Sequence, residues 1–444
     1  MVDISRRQFA LRLSATGAGA LAFSIAQPFA IAQGRAKVVI VGGGAGGATV
    51  AHYLKQDAPE LDVTLIEANP IYSSSFFSNL YLGGLRPLES LNHSYVGLQR
   101  LGVKVVHDLA VGVNTTKRTI TTRGGRSYSY DRLVLSPGID VKYDSINGYS
   151  REASRTMPHA YTTSAHGKRL LKHQLQAMRD GGTVVIVAPD NPYRCPPGPY
   201  ERACMIAQYL KSKKPKSKLI VLDPKKTFSK QSVFIEAFEK YYQGIIELNQ
   251  STEIDDYSVA RLDPRTKEIF TKAGKKVNAD VANIIPQQRA GEIAVKAGCT
   301  EGDWCPVNAE NFTSKKVENV YVLGDAAIAN EMPKSAFSAN SQAKVVAGEI
   351  LADLARRERF PARYRNTCWS MLAPEDDVKI GANYMASEGR LVASEAFVSQ
   401  KGEPMEVRKQ NYLESVGWYG AITAEMFALR PPQPSPPAES KQAG

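Results

Sequence analysis

Apolar residues along the chain cluster in short β-branched runs separated by small-residue turns and longer mixed segments. Residues 36–41, Ala-Lys-Val-Val-Ile-Val, form the first such run and predict a strand buried on both faces, as in a parallel sheet. Residues 48–55 then read as a helix, and 63–67, Val-Thr-Leu-Ile-Glu, as a second strand ending in a carboxylate. Further strands are predicted at 131–135, 183–187 and 320–323, and helices at 203–211 and 335–354. Towards the C-terminus the pattern predicts strands at 390–398 and 404–408, then an aromatic helix at 413–429 with Trp418, Tyr419 and Phe427. Strands alternating with helices predict an α/β fold, and 444 residues suffice for two or three domains.

The run Gly42-Gly43-Gly44-Ala45-Gly46-Gly47 lies directly between the first strand and the first helix. That order is the Rossmann fingerprint in its proper context and predicts dinucleotide binding. Gly42 makes the tight turn, Gly44 lets the backbone approach a pyrophosphate, and Gly47 lets the helix pack close to the strand. The helix N-terminus supplies N–H groups and partial positive charge. Glu67 lies about 20 residues beyond Gly47, placed for adenosine ribose hydroxyls. The strand 183–187 promises a second unit of this kind, but Ala188-Pro189-Asp190-Asn191-Pro192 follows it. Prolines have no N–H for a phosphate, so this unit is expected to keep the fold without an NAD(P)H site.

The loop that replaces the second glycine turn reads Tyr193-Arg194-Cys195-Pro196-Pro197-Gly198-Pro199-Tyr200-Glu201-Arg202. Arg194 and a helix N-terminus are expected to lower the pKa of the Cys195 thiol, and Glu201 is placed to move protons. A structural turn with a buried cysteine fits these residues equally well. Of the five cysteines, Cys204 is expected as a buried helix residue. Cys299 and Cys305 are expected either as a structural disulfide or as two free thiols. No Cys-x-x-Cys-His sequence occurs, so no c-type haem attaches to this chain. The six histidines are scattered without metal-ligand spacing, so surface or capping roles and no metal site are expected.

Ser5-Arg6-Arg7-Gln8-Phe9, a weakly apolar stretch and Ala30-Ile31-Ala32 predict a twin-arginine signal peptide, 1–32, and a periplasmic protein. Gly17, Gly19 and Pro28 argue against a membrane anchor, and no other stretch is long and apolar enough to span a bilayer. The formal net charge is +12. The signal segment carries Asp3 against Arg6, Arg7 and Arg12, so two of those charges leave with it. A basic surface suits an acidic protein partner; no nucleic-acid motif accompanies it. The proline-rich tail, 431–444, is expected to be disordered.

Seven segments carry a family resemblance. Asp131 to Gly138 resembles the second glycine turn of flavoproteins with two dinucleotide-binding domains, and Val320 to Ala326 resembles their strand ending in Gly-Asp. The resemblance implies FAD at the first site, held by Pro137, Gly138, Gly324, Asp325, Lys334 and Ser335. Arg194 to Ala203 is similar to the flavoprotein subunit of flavocytochrome c sulfide dehydrogenase, and its Cys…Pro-Tyr-Glu is shared with sulfide:quinone oxidoreductases. Trp304-Cys305-Pro306-Val307, Met332-Pro333-Lys334-Ser335, Ser338-Ala339-Asn340-Ser341-Gln342 and Tyr364-Arg365-Asn366-Thr367-Cys368 extend the likeness, which runs from about 37 to 427.

This resemblance implies an FAD-binding domain at 36–154 and 282–358, a degenerate NAD-like Rossmann domain at 155–281, and an α+β cap and partner-interface domain at 359–430. It implies a redox-active disulfide between Cys195 and Cys368, with Cys195 on the sulfide side, Cys368 on the flavin side and Glu201 as acid–base group. Sulfide is then oxidised to sulfane sulfur, and electrons leave through FAD to a c-type cytochrome subunit. Ser75 stands where some members carry a flavin-linking cysteine, so FAD is expected to be non-covalent. Trp418 is either a residue near the flavin or an ordinary core tryptophan. Two other readings stay open: a membrane-associated sulfide:quinone oxidoreductase, and a flavoprotein accessory factor that maintains the thiols of a sulfur-oxidation partner.

Overall fold

The computed structural model describes residues 36–252 and 256–428; the expected signal peptide and the proline-rich tail lie outside the described residues. Strand β1 (Lys37–Val41) is buried along all but its first residue. It pairs in parallel with Asp62–Ile66 on one side and Arg132–Leu135 on the other. Lys104–Val106 and Val320–Val322 complete a five-stranded parallel sheet. Helix α1 (Gly47–Asp57) leaves β1 through the glycine turn and buries Ala48, Val50, Ala51 and Leu54.

The second unit is a four-stranded parallel sheet of Thr183–Val187, Lys218–Asp223, Ile246–Gln250 and Val281–Ile284. The expected domain boundary at 281/282 therefore cuts an edge strand of this sheet. Helix α2 (Gly198–Lys213) begins inside the proline loop, five residues before the expected start at 203. Pro199 permits this, because the first turn of a helix has no internal use for its N–H groups. An antiparallel ribbon, Ile139–Val141 against Gln288–Ala290, joins the two units.

Helix α3 (Ala336–Ala355) returns to the first unit, with Ser335 at its N-cap. A three-stranded meander follows: β2 (Arg363–Ala373), β3 (Asp376–Ser387) and Arg390–Val398. The last strand matches expectation. β2 and β3 were not foreseen because Asn366, Thr367, Ser370, Asp376 and Asp377 interrupt the apolar pattern, although all five are buried. Residues 404–408, expected as a strand, instead begin helix α4 (Met405–Met426). Pro404 before the first turn and Glu406 within it are helix-start signals that outweigh the short apolar alternation.

Two cores result. One fills the space around the first sheet with α1 and α3. The other joins the second sheet and α2 to Met371, Leu372 and Val378 of the meander. Phe427, just past α4, is fully buried against Tyr72, Tyr95 and His93 of the first unit. Burying such a ring contributes about 2–3 kcal/mol and pins the C-terminal segment across the sheet. Cys204, Cys299 and Cys305 are buried thiols, so Cys204 stands as expected and the other two take the free-thiol alternative.

Candidate active site

A cleft of about 1700 Å³, counting the part open to solvent, runs from the glycine turn to α2 and β2. Gly42 has φ +99°, and a Cβ on it would lie 2.2 Å from the Ser136 carbonyl oxygen. A Cβ on Gly47 would lie 2.0 Å from the Gly42 oxygen. Glycine is therefore required for both the turn and the approach of α1 to β1. Gly44 lies on the cleft wall, and a Cβ there would meet nothing nearer than 3.7 Å. Glu67 also borders the cleft; its carboxylate accepts the Gly43 N–H at 2.8 Å and the Asn69 N–H at 2.9 Å.

Pro137, Gly138, Gly324, Asp325 and Ser335 line the middle of the cleft. One oxygen of Asp325 accepts from Arg194 Nε at 2.5 Å, while the other, Oδ1, is buried with no protein partner. Tyr161 Oη, on the same wall, is also buried and unpartnered. An orphaned buried polar atom costs about 1–3 kcal/mol, so these atoms fit a ligand rich in hydroxyls. The glycine cradle and the Asp325 oxygen together fit a dinucleotide with a polyol linker. Lys334 departs from expectation: its ammonium donates to the Asp325 and Ala327 carbonyls, both at 2.8 Å, and lies over the Trp304 ring. It braces Asp325 from behind the cleft and does not line it. Ser335 caps α3, accepting the Ser338 N–H at 3.0 Å and donating to Asn366 Oδ1 at 2.6 Å.

Cys195 and Cys368 line the same cleft, although they come from different units of the fold. Both are partly accessible thiols in this structure. Cys195 is held at φ +56°, a left-handed conformation that side chains other than glycine seldom adopt. Its N–H donates to the Lys334 carbonyl and its own carbonyl accepts the Gly198 N–H, both at 2.8 Å. Such strain concentrates at functional sites.

The electrostatics differ from expectation. Burial pushes the Cys195 thiol up, Cys368 and Glu201 add to the shift, and Lys230 and Arg202 oppose it. Arg194, expected to lower this thiol, is engaged by Asp325 and by the Tyr161 carbonyl. Glu201 lies in the first turn of α2, accepting from Asn79 Nδ2 at 2.6 Å and from the Met371 N–H at 3.0 Å. Burial pushes its carboxyl up, which suits a group that exchanges protons. His159 is buried rather than at the surface, and burial lowers it to about 4.

Sequence reasoning assigned no role to Asn79, Lys230, Asn366 and Asp377, which arrive from four separate segments; of these only Asn366 lies in a family-like segment, Tyr364 to Cys368. The adjacent acids Asp376 and Asp377 inside a strand were the other available signal. Asp377 has a buried, unpartnered oxygen, and burial pushes its carboxyl up to about 8. The unfolded carboxyl titrates near 4, so the folded chain holds this proton more tightly. The stability it contributes is full below about 4 and is lost as pH rises to about 8. Asp377→Asn is expected to flatten the fall of the urea-unfolding midpoint across that window; an unchanged slope would place the titration elsewhere.

In the second unit the strand Lys218–Asp223 ends on a fully buried acid. Asp223 accepts from the Tyr200 hydroxyl at 2.6 Å and pairs with Lys225 at 2.6 Å, while Tyr200 stacks on Phe228 with centroids 3.6 Å apart. The acid that would face a ribose in a working Rossmann unit is thus used internally. On the other side of the cleft, Trp418 lies against Phe76, Phe337 and Trp369. Trp418 and Ser75 both line the cleft, and Ser75 Oγ donates to the Thr162 carbonyl at 3.1 Å.

Residues 168–286 match the central domain of the sulfide dehydrogenase [flavocytochrome c] flavoprotein chain, and 360–427 match the flavocytochrome c sulphide dehydrogenase flavin-binding domain. The chain belongs to the flavocytochrome c sulfide dehydrogenase flavoprotein family. Residues 36–187 also match the pyridine nucleotide-disulphide oxidoreductase family. A short flavoprotein chain of sulfide dehydrogenase from Chlorobaculum thiosulfatiphilum is 46% identical over 46 residues, 96% of its length and 10% of this chain. Mitochondrial sulfide:quinone oxidoreductase of Mus musculus is 23% identical over 307 residues, spanning 66% of each chain. The sulfide:quinone oxidoreductase structure from Aquifex aeolicus shares the fold, with a TM-score of 0.69 at 17% identity, covering 88% of this chain and 92% of that one. This family of flavoproteins thus supplies a flavin-binding domain whose matched span contains Cys368 and Trp418, and a central domain whose matched span contains Cys195 and Glu201.

Proposed function

We propose that this protein is a periplasmic sulfide dehydrogenase that binds FAD non-covalently and works through a Cys195–Cys368 disulfide. The observation that carries this reading is the meeting of two cysteines from distant segments in the cleft that also holds the glycine cradle and the orphaned Asp325 oxygen. A second cavity, lined by Ile380, Phe397, Val398 and Pro197, borders Cys368 but not Cys195. In this reading that cavity supports entry of hydrosulfide at Cys368, where the family resemblance implies Cys195. Its sulfur forms a bond to Cys368, the Cys195–Cys368 bond breaks, and Cys195 leaves with the electron pair as a thiolate. A second hydrosulfide releases the sulfane sulfur and leaves both cysteines as thiols. Gly42, Gly44, Gly47, Glu67, Gly324 and Asp325 would hold FAD, which would supply a two-electron acceptor for the two thiols. Glu201 holds or releases the accompanying protons beside both sulfurs. Ser75 has a hydroxyl where a thioether would need a thiol.

A c-type cytochrome subunit is the proposed acceptor. The two domain matches to flavocytochrome c chains favour it over quinone. Among the described residues no helix is long and apolar enough to cross a membrane. Mixing the FAD-loaded protein with sulfide and either cytochrome c or a soluble quinone analogue tests the assignment. Sulfide-dependent reduction of cytochrome c well above that of quinone is expected. Preference for quinone would transfer the protein to the quinone-reducing reading, and reduction of neither would favour an accessory role.

A further inference from the structure

Lys230 is buried in the wall behind Cys368, on the residue that precedes helix Gln231–Tyr242, and its φ of +61° marks a strained backbone. Its ammonium donates to the Cys368 carbonyl at 3.0 Å, Ser370 Oγ at 2.8 Å and the Val378 carbonyl at 3.3 Å. These acceptors use all three N–H donors, yet each is neutral. They satisfy hydrogen bonding without cancelling the charge, and a buried charge without a counter-ion is costly. The carboxylates in reach are Glu201 on α2 and Asp377 on β3, and burial drives both towards their neutral forms. Burial also works against the Lys230 ammonium, and the neighbouring sulfurs and carboxyls are what favour its charged form. Cys368 is the group that interacts with it most strongly, ahead of Asp377, Glu201 and Cys195. A lysine placed this way is matched to an anion that exists only when the disulfide is open.

We propose that Lys230 is a positioning residue for Cys368, whose charge draws anionic sulfur to that side chain and stabilises negative charge on it. This rests on the disulfide reading above. In that reading hydrosulfide bonds to Cys368 as the Cys195–Cys368 bond breaks and Cys195 departs as thiolate. The persulfide on Cys368 then ionises, its proton going to solvent, and Lys230 faces the resulting perthiolate. The other groups around Cys368 are Asn366 on its own strand, Ser335 at the cap of α3, Glu201 on α2, Asp377 and Tyr384 on β3, and Cys195. Lys230 is the main one that favours the ionised sulfur; burial and Glu201 oppose it.

The test is read on the FAD-loaded, dithiothreitol-reduced protein by alkylation of Cys368, followed by mass spectrometry of its peptide. The probes are iodoacetamide, which is neutral, and iodoacetate, which is an anion. Lys230→Met is expected to raise the pH midpoint of iodoacetamide alkylation by about one unit, slowing the reaction about tenfold below it. It should also lower the ratio of iodoacetate to iodoacetamide rates, and Lys230→Arg should restore most of both. A residue that merely supports the fold would, when lost, expose Cys368 and speed both reagents at every pH. That result, or an unmoved midpoint and ratio, would overturn the proposal. If Lys230→Met does not fold, Lys230→Gln, which keeps donors without charge, gives the same reading. Peptide mapping of the oxidised protein asks separately whether Cys195 and Cys368 join. A negative answer there removes the disulfide relay but leaves the Lys230 measurement on the reduced protein standing.

Discussion

Replacing Cys195 or Cys368 with serine is expected to abolish the bleaching of bound FAD by sulfide, slowing it on the order of a thousandfold or more. The reason is chemical. In the proposed relay sulfide becomes a two-electron donor by attacking a sulfur–sulfur bond, and that bond needs both residues. A serine hydroxyl makes no such bond and is a far poorer leaving group than a thiolate. The two sulfurs act as one device, so the double variant should be no slower than either single one. The measurement is an anaerobic sulfide titration followed by the visible flavin spectrum. The variants must first be shown to hold FAD as the unaltered protein does. Bleaching that survives in both single variants would mean that sulfide reduces the flavin directly, and the relay would be wrong.

The second large effect is expected at Asp325, where one carboxylate does two jobs. It neutralises Arg194, whose side chain is only 15% exposed, and it leaves an oxygen free in the cleft. Asp325→Ala leaves the guanidinium without its counter-ion, a change that typically costs about 3–5 kcal/mol, and removes the acceptor for a cofactor hydroxyl. The variant should therefore unfold at a clearly lower urea concentration even without FAD, and should purify with little flavin. Asp325→Asn, which keeps an acceptor for Arg194 but not the charge, should fall between. The contribution of the ion pair and that of the cofactor contact separate when the two variants are unfolded with and without added FAD. Full flavin content and undiminished stability in Asp325→Ala would remove this residue from the site.

Much of the first unit could be read from the chain because its signals are local. A strand, a glycine turn, a helix and an acid follow one another within about 30 residues, and each has a backbone reason to be there. Gly42 and Gly47 are glycines because a Cβ would strike an oxygen at about 2 Å. The C-terminal meander could not be read in that way. Its buried Asp377 lines the cleft, Asn366 accepts from Ser335 and Ser370 accepts from Lys230, so these polar residues erase the alternation that identifies a strand. The pairing of Cys195 with Cys368 came from resemblance, since nothing in their own neighbourhoods links a helix-start loop to a distant β-strand. Lys230 and Asn79 were invisible for the same reason: their roles arise from what the fold brings opposite them. Arg194 shows the converse hazard, because its nearness to Cys195 in sequence suggested a partner that Asp325 takes instead.

The order of segments around the cleft has a consequence for how the protein is made. The glycine cradle is synthesised before Cys368, Trp418 and the Phe427 anchor. Domains tend to fold as they emerge, from the N-terminus onward. The cradle can thus fold before the segments that cover it have been translated. A chain that stops short of β2 has a berth but no second sulfur, so it would hold a flavin that sulfide cannot reach through the relay.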